Sequence, residues 1–252
     1  MVIPMRSRTD TSGLLPAAEF LAYLGADRSS EGDRLPAIQD LARTLGISAG
    51  KLREQLEVAR QLGLVEVRPK TGIRKLPYSF LSTLRLSLGY ALSEDPSCFE
   101  QFGEIRNHLE VAYWREAVGL LQPEDRQMLR RLVERAWEKL RGTPVQIPHA
   151  EHRALHLTMY SRLTNTFVRG MLEAYWEAYE AVGLNVYEDY AYLEDVWDYH
   201  ERMVEAIVRD DLDAGFAVEL EHAGLLHARP ELDRIRAASP IPSTEAPARQ
   251  VG

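Results

Sequence analysis

The chain has 252 residues, 45% of them hydrophobic and 27% charged, which suits a soluble globular protein with one large or two modest cores. Its single cysteine, Cys98, excludes an intrachain disulfide framework, and the N-terminal MVIPMRSRTD lacks the apolar core of a signal peptide. No stretch approaches the roughly 18 uncharged apolar residues of a membrane span, so a cytoplasmic protein without membrane partners is expected.

The net charge of −8 argues by itself against a polyanion partner, but the charge is unevenly spread. Residues 1–76 carry 12 Lys/Arg against 9 Asp/Glu, a balance of +3, and the remainder carries 18 against 29, a balance of −11. Within 43–75 there are 8 basic residues and 3 acidic ones. A basic patch on an acidic chain points to one module that faces a polyanion, joined to another with a different task.

The segment 31–76 is the most informative. Leu35-Pro36 opens a predicted helix, since proline suits a first turn where its missing N–H loses nothing. Ile38, Leu41, Ala42 and Leu45 then recur at helical spacing until Gly46 closes the helix. Ser48 is the expected N-cap of a second helix, carried by Leu52, Leu56 and Ala59 and ended by Gly63. LVEVRP alternates apolar and polar residues like a half-buried strand, and a turn at Lys70-Thr71-Gly72 leads to the short return IRKL. Helix, tight turn, helix and hairpin make a winged helix-turn-helix. Its second helix offers Ser48, Lys51 and Arg53 to the major groove of DNA, and its wing offers Arg68, Lys70, Thr71 and Gly72 to phosphates, with Arg74 nearby. A structural helical subdomain would share the apolar pattern but would not need its cations gathered there.

LPYSF (76–80) marks a junction, and from there to about residue 228 the chain reads as helix after helix. The predicted segments are 79–92, 99–121, 123–140 opened by Pro123, 149–163, 167–182 after Asn165, 188–210 and 212–228. No strand pattern interrupts them, so an antiparallel all-α helical bundle is expected. The fold class is therefore mainly α, with domains at 1–76 and 77–230 and a Pro/Ala/Ser-rich tail, 231–252, expected to be disordered. Within the bundle, HRALH (152–156) sets two histidines four residues apart on one helix face. From the residues alone they are core histidines, a catalytic pair or metal ligands.

A winged helix containing GDRLP…LARTLGIS…LREQL…GLVEVRPKTG, followed by an all-helical domain, resembles the GntR family of bacterial transcription regulators. The helical half resembles its FadR-type branch with the FCD effector domain, where EIRNHLE (104–110) matches the family's E-x-R-x-x-L-E. The resemblance spans about residues 14–228. It implies a homodimer that binds operator double-stranded DNA, more often as a repressor, and responds to a small carboxylate effector. It also implies one divalent metal per chain, held by His156 followed by Asn165, by His200 in VWDYHERMVEAI and by His222 in ELEHAGLL, and it places Arg106 near that metal as the effector's carboxylate clamp.

The chain departs from the family in places. His152 stands where an aspartate is usual, Ala49 replaces an arginine of the recognition helix, and Gln39 replaces a commonly basic residue, so no operator sequence carries over. Each histidine alone reads as a buried core residue bonded to a carbonyl or carboxylate. Three on three inward faces change that balance, because one divalent ion serves them all. With His152 as a fourth imidazole the site is softer than three histidines plus a carboxylate, which favours Zn or Ni over Mn or Mg. The aromatics Tyr113, Trp114, Tyr160, Tyr175, Trp176, Tyr179 and Trp197 read as core, and His108, His149 and His227 as solvated.

Two other functions compete. One is a histidine-rich helical-bundle metalloenzyme, but a di-iron site needs two Glu-x-x-His motifs and the chain has only Glu219–His222. The other is a winged-helix DNA-binding protein without a ligand, which an empty apolar pocket would favour.

Overall fold

A computed structural model describes residues 18–26, 34–183 and 189–225, and the expected disordered tail and His227 lie outside them. The chain divides into two compact units, Met1–Thr83 and Leu84–Gly252.

In the first unit, α1 (Glu19–Ala26), α2 (Ile38–Leu45) and α3 (Ala49–Gln61) lead into the hairpin β1 (Val65–Arg68) and β2 (Gly72–Lys75). The strands pair antiparallel with Val65 opposite Lys75 and Val67 opposite Ile73. Side chains alternate across a strand, and Val65 and Ile73 turn inward onto a core of Phe20, Leu24, Leu35, Leu41, Leu52, Leu56 and Ala59. Gly46 adopts φ 68°, which only a residue without Cβ takes up cheaply, and the Ile47 N–H then bonds the Ala42 carbonyl at 3.1 Å to seal α2. Ser48 caps α3 by accepting from the Lys51 N–H at 3.1 Å.

Two features of this unit differ from expectation. Pro36 does not occupy the first turn of α2, whose N-cap is Ala37. Residues before a proline favour extended backbone, and Leu35 uses it to donate its N–H to the Ile73 carbonyl at 2.8 Å, while Arg34 bridges Arg74. The stretch 34–36 thus extends the wing instead of opening the helix. Helix α1 has no counterpart in the sequence reading. Phe20 is fully buried, and Glu19 pairs with Lys51 at 2.5 Å and accepts from Gln55.

The division between these two compact units falls inside α4 (Phe80–Glu94). Ser82 explains why: its Oγ would lie 2.4 Å from a Cβ on Gly63, so the chain is still against the winged unit there.

The second unit adds α5 (Cys98–Gly119), α6 (Pro123–Leu140), α7 (His149–Met159), α8 (Thr166–Ala181), α9 (Tyr190–Val208) and α10 (Leu212–Leu225). Pro123 takes the first position of α6, and Gln122 with Asp125 forms a capping box. Asn165 caps α8 by accepting from Phe167 and Val168. α7 stops at Met159, four residues before its predicted end, as Ser161 turns its hydroxyl back to the Thr158 carbonyl at 2.8 Å. α9 packs on α10 and α6, α6 on α7, and α5 on α8 and α10. Trp114, Leu129, Leu140, Leu155, Met159 and Ile207 are fully buried at the centre. Several helices therefore turn one face each toward a shared interior, which is where the histidines meet.

Candidate metal centre and nucleic-acid face

His152 and His156 leave the same face of α7, and α9 and α10 bring His200 and His222 to it. Each of the four offers one nitrogen, and these nitrogens all lie within 4.8 Å of one another. His156 Nε2 and His200 Nε2 are 3.1 Å apart, and the ring centroids of His200 and His222 are 4.5 Å apart. His156, His200 and His222 are buried and His152 is half-buried. The edge of Trp176 packs on His152 at 4.7 Å, and Trp197 packs on His200 at 5.0 Å, so these aromatics are both core and wall of the cluster.

Burial, followed by the neighbouring imidazoles, drives the proton affinity of His152 and His200 well below the usual histidine range. Burial also lowers His156, against the opposing pull of Glu110. These rings are therefore neutral at pH 7 and present lone pairs. His152 Nε2 and His200 Nδ1 are buried with no hydrogen-bond partner, which is costly for polar atoms unless something else serves them. A divalent ion with a preference for nitrogen fits this donor set.

A second layer of polar groups surrounds the cluster. Glu110 Oε1 lies 3.1 Å from His156 Nδ1, and Glu110 Oε2 lies 2.7 Å from Arg106 Nη2. Arg106 Nη2 is also 2.9 Å from His156 Nδ1, which makes a conflicting demand on that nitrogen. We assign Nδ1–H as donor to Glu110, because the guanidinium already has the carboxylate as its stronger acceptor. His156 Nε2 then points its lone pair toward His200, the arrangement that orients metal-ligating histidines. Arg106 is only 3% exposed, Glu110 keeps its guanidinium charged despite burial, and its Nε has no partner.

Two buried carboxylates here, Glu110 and Glu219, stood in motifs noted in the sequence but were not assigned to this site. Their helical spacing was the available signal, with Glu110 four residues after Arg106 and Glu219 three before His222. His149 also departs from the solvated reading. It is half-buried, stacks on Tyr179 at 5.3 Å and meets Glu180 at 3.1 Å. His108 is exposed, as expected.

Room beside the cluster is small. The cavity lined by His149, His152, Tyr179, Leu193 and Trp197 has a volume of about 10 Å³, enough for one water molecule.

In the winged unit, the residues expected at DNA differ in availability. Arg53 is exposed on α3 and makes no hydrogen bond or ion pair among the described residues. Lys51 is exposed but held by Glu19, and the Ser48 hydroxyl is occupied as the cap of α3. On the wing, Arg68 pairs with Glu66 at 2.8 Å, and Lys70 and Thr71 are exposed at the turn. Lys70 and Gly72 both adopt positive φ, and Gly72 packs against the Arg34 side chain. Among the described residues no helix is long and apolar enough to cross a membrane.

The chain thus joins a winged helix-turn-helix unit to a helical unit with a buried imidazole cluster. Comparison with known proteins finds similarity at the level of one domain and of the fold. Residues 101–224 match the FCD domain model. The solved structure of Streptococcus agalactiae GntR is similar with a TM-score of 0.59 and 18% identity, over 84% of this chain and 97% of that one. E. coli McbR/YncC is similar at a TM-score of 0.45 and 21% identity, covering 86% of this chain and 93% of that one. No curated protein matches the chain in sequence. The match to the FCD domain model lies wholly within the helical unit, and the fold of the chain is similar to that of Streptococcus agalactiae GntR.

Proposed function

We propose that the chain is a cytoplasmic repressor that binds operator DNA as a homodimer and is released by a small organic acid sensed in its helical unit. One divalent transition metal, Zn or Ni, is held by His152, His156, His200 and His222. The observation that carries this reading is the convergence of four imidazole nitrogens within 4.8 Å, on residues two of which also bury a ring nitrogen without a hydrogen-bond partner. A bound ion supplies a Lewis-acidic attachment point for a carboxylate oxygen. Arg106, through its free Nε, is the residue to receive the rest of that carboxylate.

The lack of room beside His152 has a consequence. An organic acid does not fit this cavity as it stands, so binding there is linked to movement of its walls and so to DNA affinity. Pairing of two copies is supported by α4, none of whose 15 residues is buried, with Leu86 47% and Tyr90 70% exposed. Reading two half-sites on DNA needs two such chains at fixed spacing.

The decisive experiment is the transition-metal content per chain of tag-free protein by mass spectrometry, with His156→Ala alongside. About one ion per chain, lost in the variant, supports the site. Wild-type protein that carries no metal and refuses added Zn and Ni refutes it. In gel shifts, Arg53→Ala should weaken DNA binding and reduce the slope of log affinity against log salt by about one.

A further inference from the structure

Three carboxylates are buried among the described residues: Glu110, Glu151 and Glu219. Two have evident counter-ions, Glu110 with Arg106 at 2.7 Å and Glu151 with Lys139 at 2.7 Å. Glu219 does not. It is 1% exposed, its Oε2 has no hydrogen-bond partner, and the nearest cation, Arg106, is already held by Glu110. A buried carboxylate so placed costs stability in the metal-free protein and needs a reason to be there.

The imidazole cluster supplies that reason. Four imidazole ligands bring no negative charge to a dication, and the Arg106–Glu110 pair cancels itself. Glu219 lies on α10 one turn before His222, and α10 packs on α5, which carries Arg106 and Glu110. It is not one of the four donors that converge, so it acts from behind them. We propose that Glu219 is the counter-charge of the metal centre, a positioning residue that raises affinity for a divalent ion without ligating it. This rests on the metal reading above.

The groups facing Glu219 agree with this role. Burial, then Glu110 beside it, pushes its carboxyl up to about 8 against the opposing pull of Arg106, and Tyr160 is raised by burial and then by Glu219. At neutral pH the metal-free protein therefore keeps Glu219 protonated, and arrival of an ion favours its charged form. One O–H bond is broken, and the proton leaves to buffer.

Glu219→Gln separates this role from a structural one, because the two predict different signs. The amide keeps the shape and removes the charge. Chelator-treated variant should melt at the same temperature as wild type or higher, while its affinity for Zn, measured by competition with a chromophoric chelator, falls tenfold to a hundredfold at unchanged stoichiometry. Unchanged Zn affinity, or a lower melting temperature together with weaker Zn binding, overturns the proposal. If the variant does not fold, the wild type still decides. Calorimetry of Zn binding at pH 6, in buffers of different ionisation enthalpy, should show about one proton released per ion, and release of none overturns the assignment. Wild type that binds no Zn in any arm refutes the metal centre itself, which is a different result from a Glu219 variant that binds Zn normally.

Discussion

Gly215 sits where α10, the helix that carries His222, packs directly on Trp114 of α5. A Cβ at this position would lie 2.5 Å from Cη2 and 2.9 Å from Cζ2 of Trp114, and 3.4 Å from the Ala206 Cβ on α9. Carbon atoms in contact sit about 3.5–4.0 Å apart, so Gly215→Ala forces a movement of about 1 Å. Trp114 is fully buried and its ring is rigid, so the indole cannot swing clear without opening the core. Overpacking of this kind costs about 1–3 kcal/mol, while alanine in place of glycine in a helix returns up to about 1 kcal/mol. The gain is smaller here, because Gly215 lies in the first turn after the start of α10 at Leu212. Overpacking wins, and a net loss of about 1–2 kcal/mol is expected. For a chain of this size that lowers the melting temperature of the metal-free protein by about 3–8 °C in thermal denaturation followed by circular dichroism. His222 lies two turns further along the same helix, 4.5 Å from the His200 ring, so Zn affinity should fall in parallel. A Gly215→Ala protein as stable as wild type would show that α10 and Trp114 are not in fixed contact, and the reasoning would fail.

Other perturbations test other parts of the molecule. Glu110→Leu leaves the Arg106 guanidinium buried without compensation and should cost about 3–5 kcal/mol in urea denaturation. The Arg106→Leu/Glu110→Leu double variant should recover much of that loss, and strict additivity in the cycle would count against a coupled pair. Lys51 is engaged by Glu19 whereas Arg53 has no ion pair among the described residues, so in titrations at one salt concentration Lys51→Ala should weaken DNA binding less than Arg53→Ala; the reverse order would place the groove contact elsewhere. Asp125 caps α6 and pairs with Arg162 at 2.8 Å, and this hydrogen bond, foremost, holds its carboxyl below the usual range. A carboxyl whose folded-state proton affinity is lowered adds stability above its unfolded value, near pH 4, and loses it as the pH falls further. Asp125→Asn should therefore destabilise by about 1 kcal/mol at pH 7, and the difference should vanish toward pH 2; a gap independent of pH would mean that charge is not the cause.

What could be read without coordinates follows a physical pattern. Segments whose own sequence carries period and punctuation were legible: α6 between Pro123 and Gly142, α3 from its Ser48 cap, the alternating hairpin, and the inward stripe of His156, His200 and His222. Each is fixed by interactions within a few residues, so the information is local. α1 was not legible, because eight residues make a marginal helix and this one is held by Phe20 in the core and by Glu19 on Lys51. Pro36 misled for the same reason: a long-range bond from Leu35 to Ile73 outweighs the local preference of proline for a first turn.

The site divides along the same line. Residue type and helical phase bring the histidines to inward faces, so the sequence alone determined that imidazoles would gather. It could not say that Glu110 and Glu219 accompany them, since glutamates on a helix are almost always solvated. Which glutamate is inside depends on which faces of α5, α7 and α10 meet. A buried charge is tolerated only when distant partners converge on it, and only the tertiary structure decides where they do.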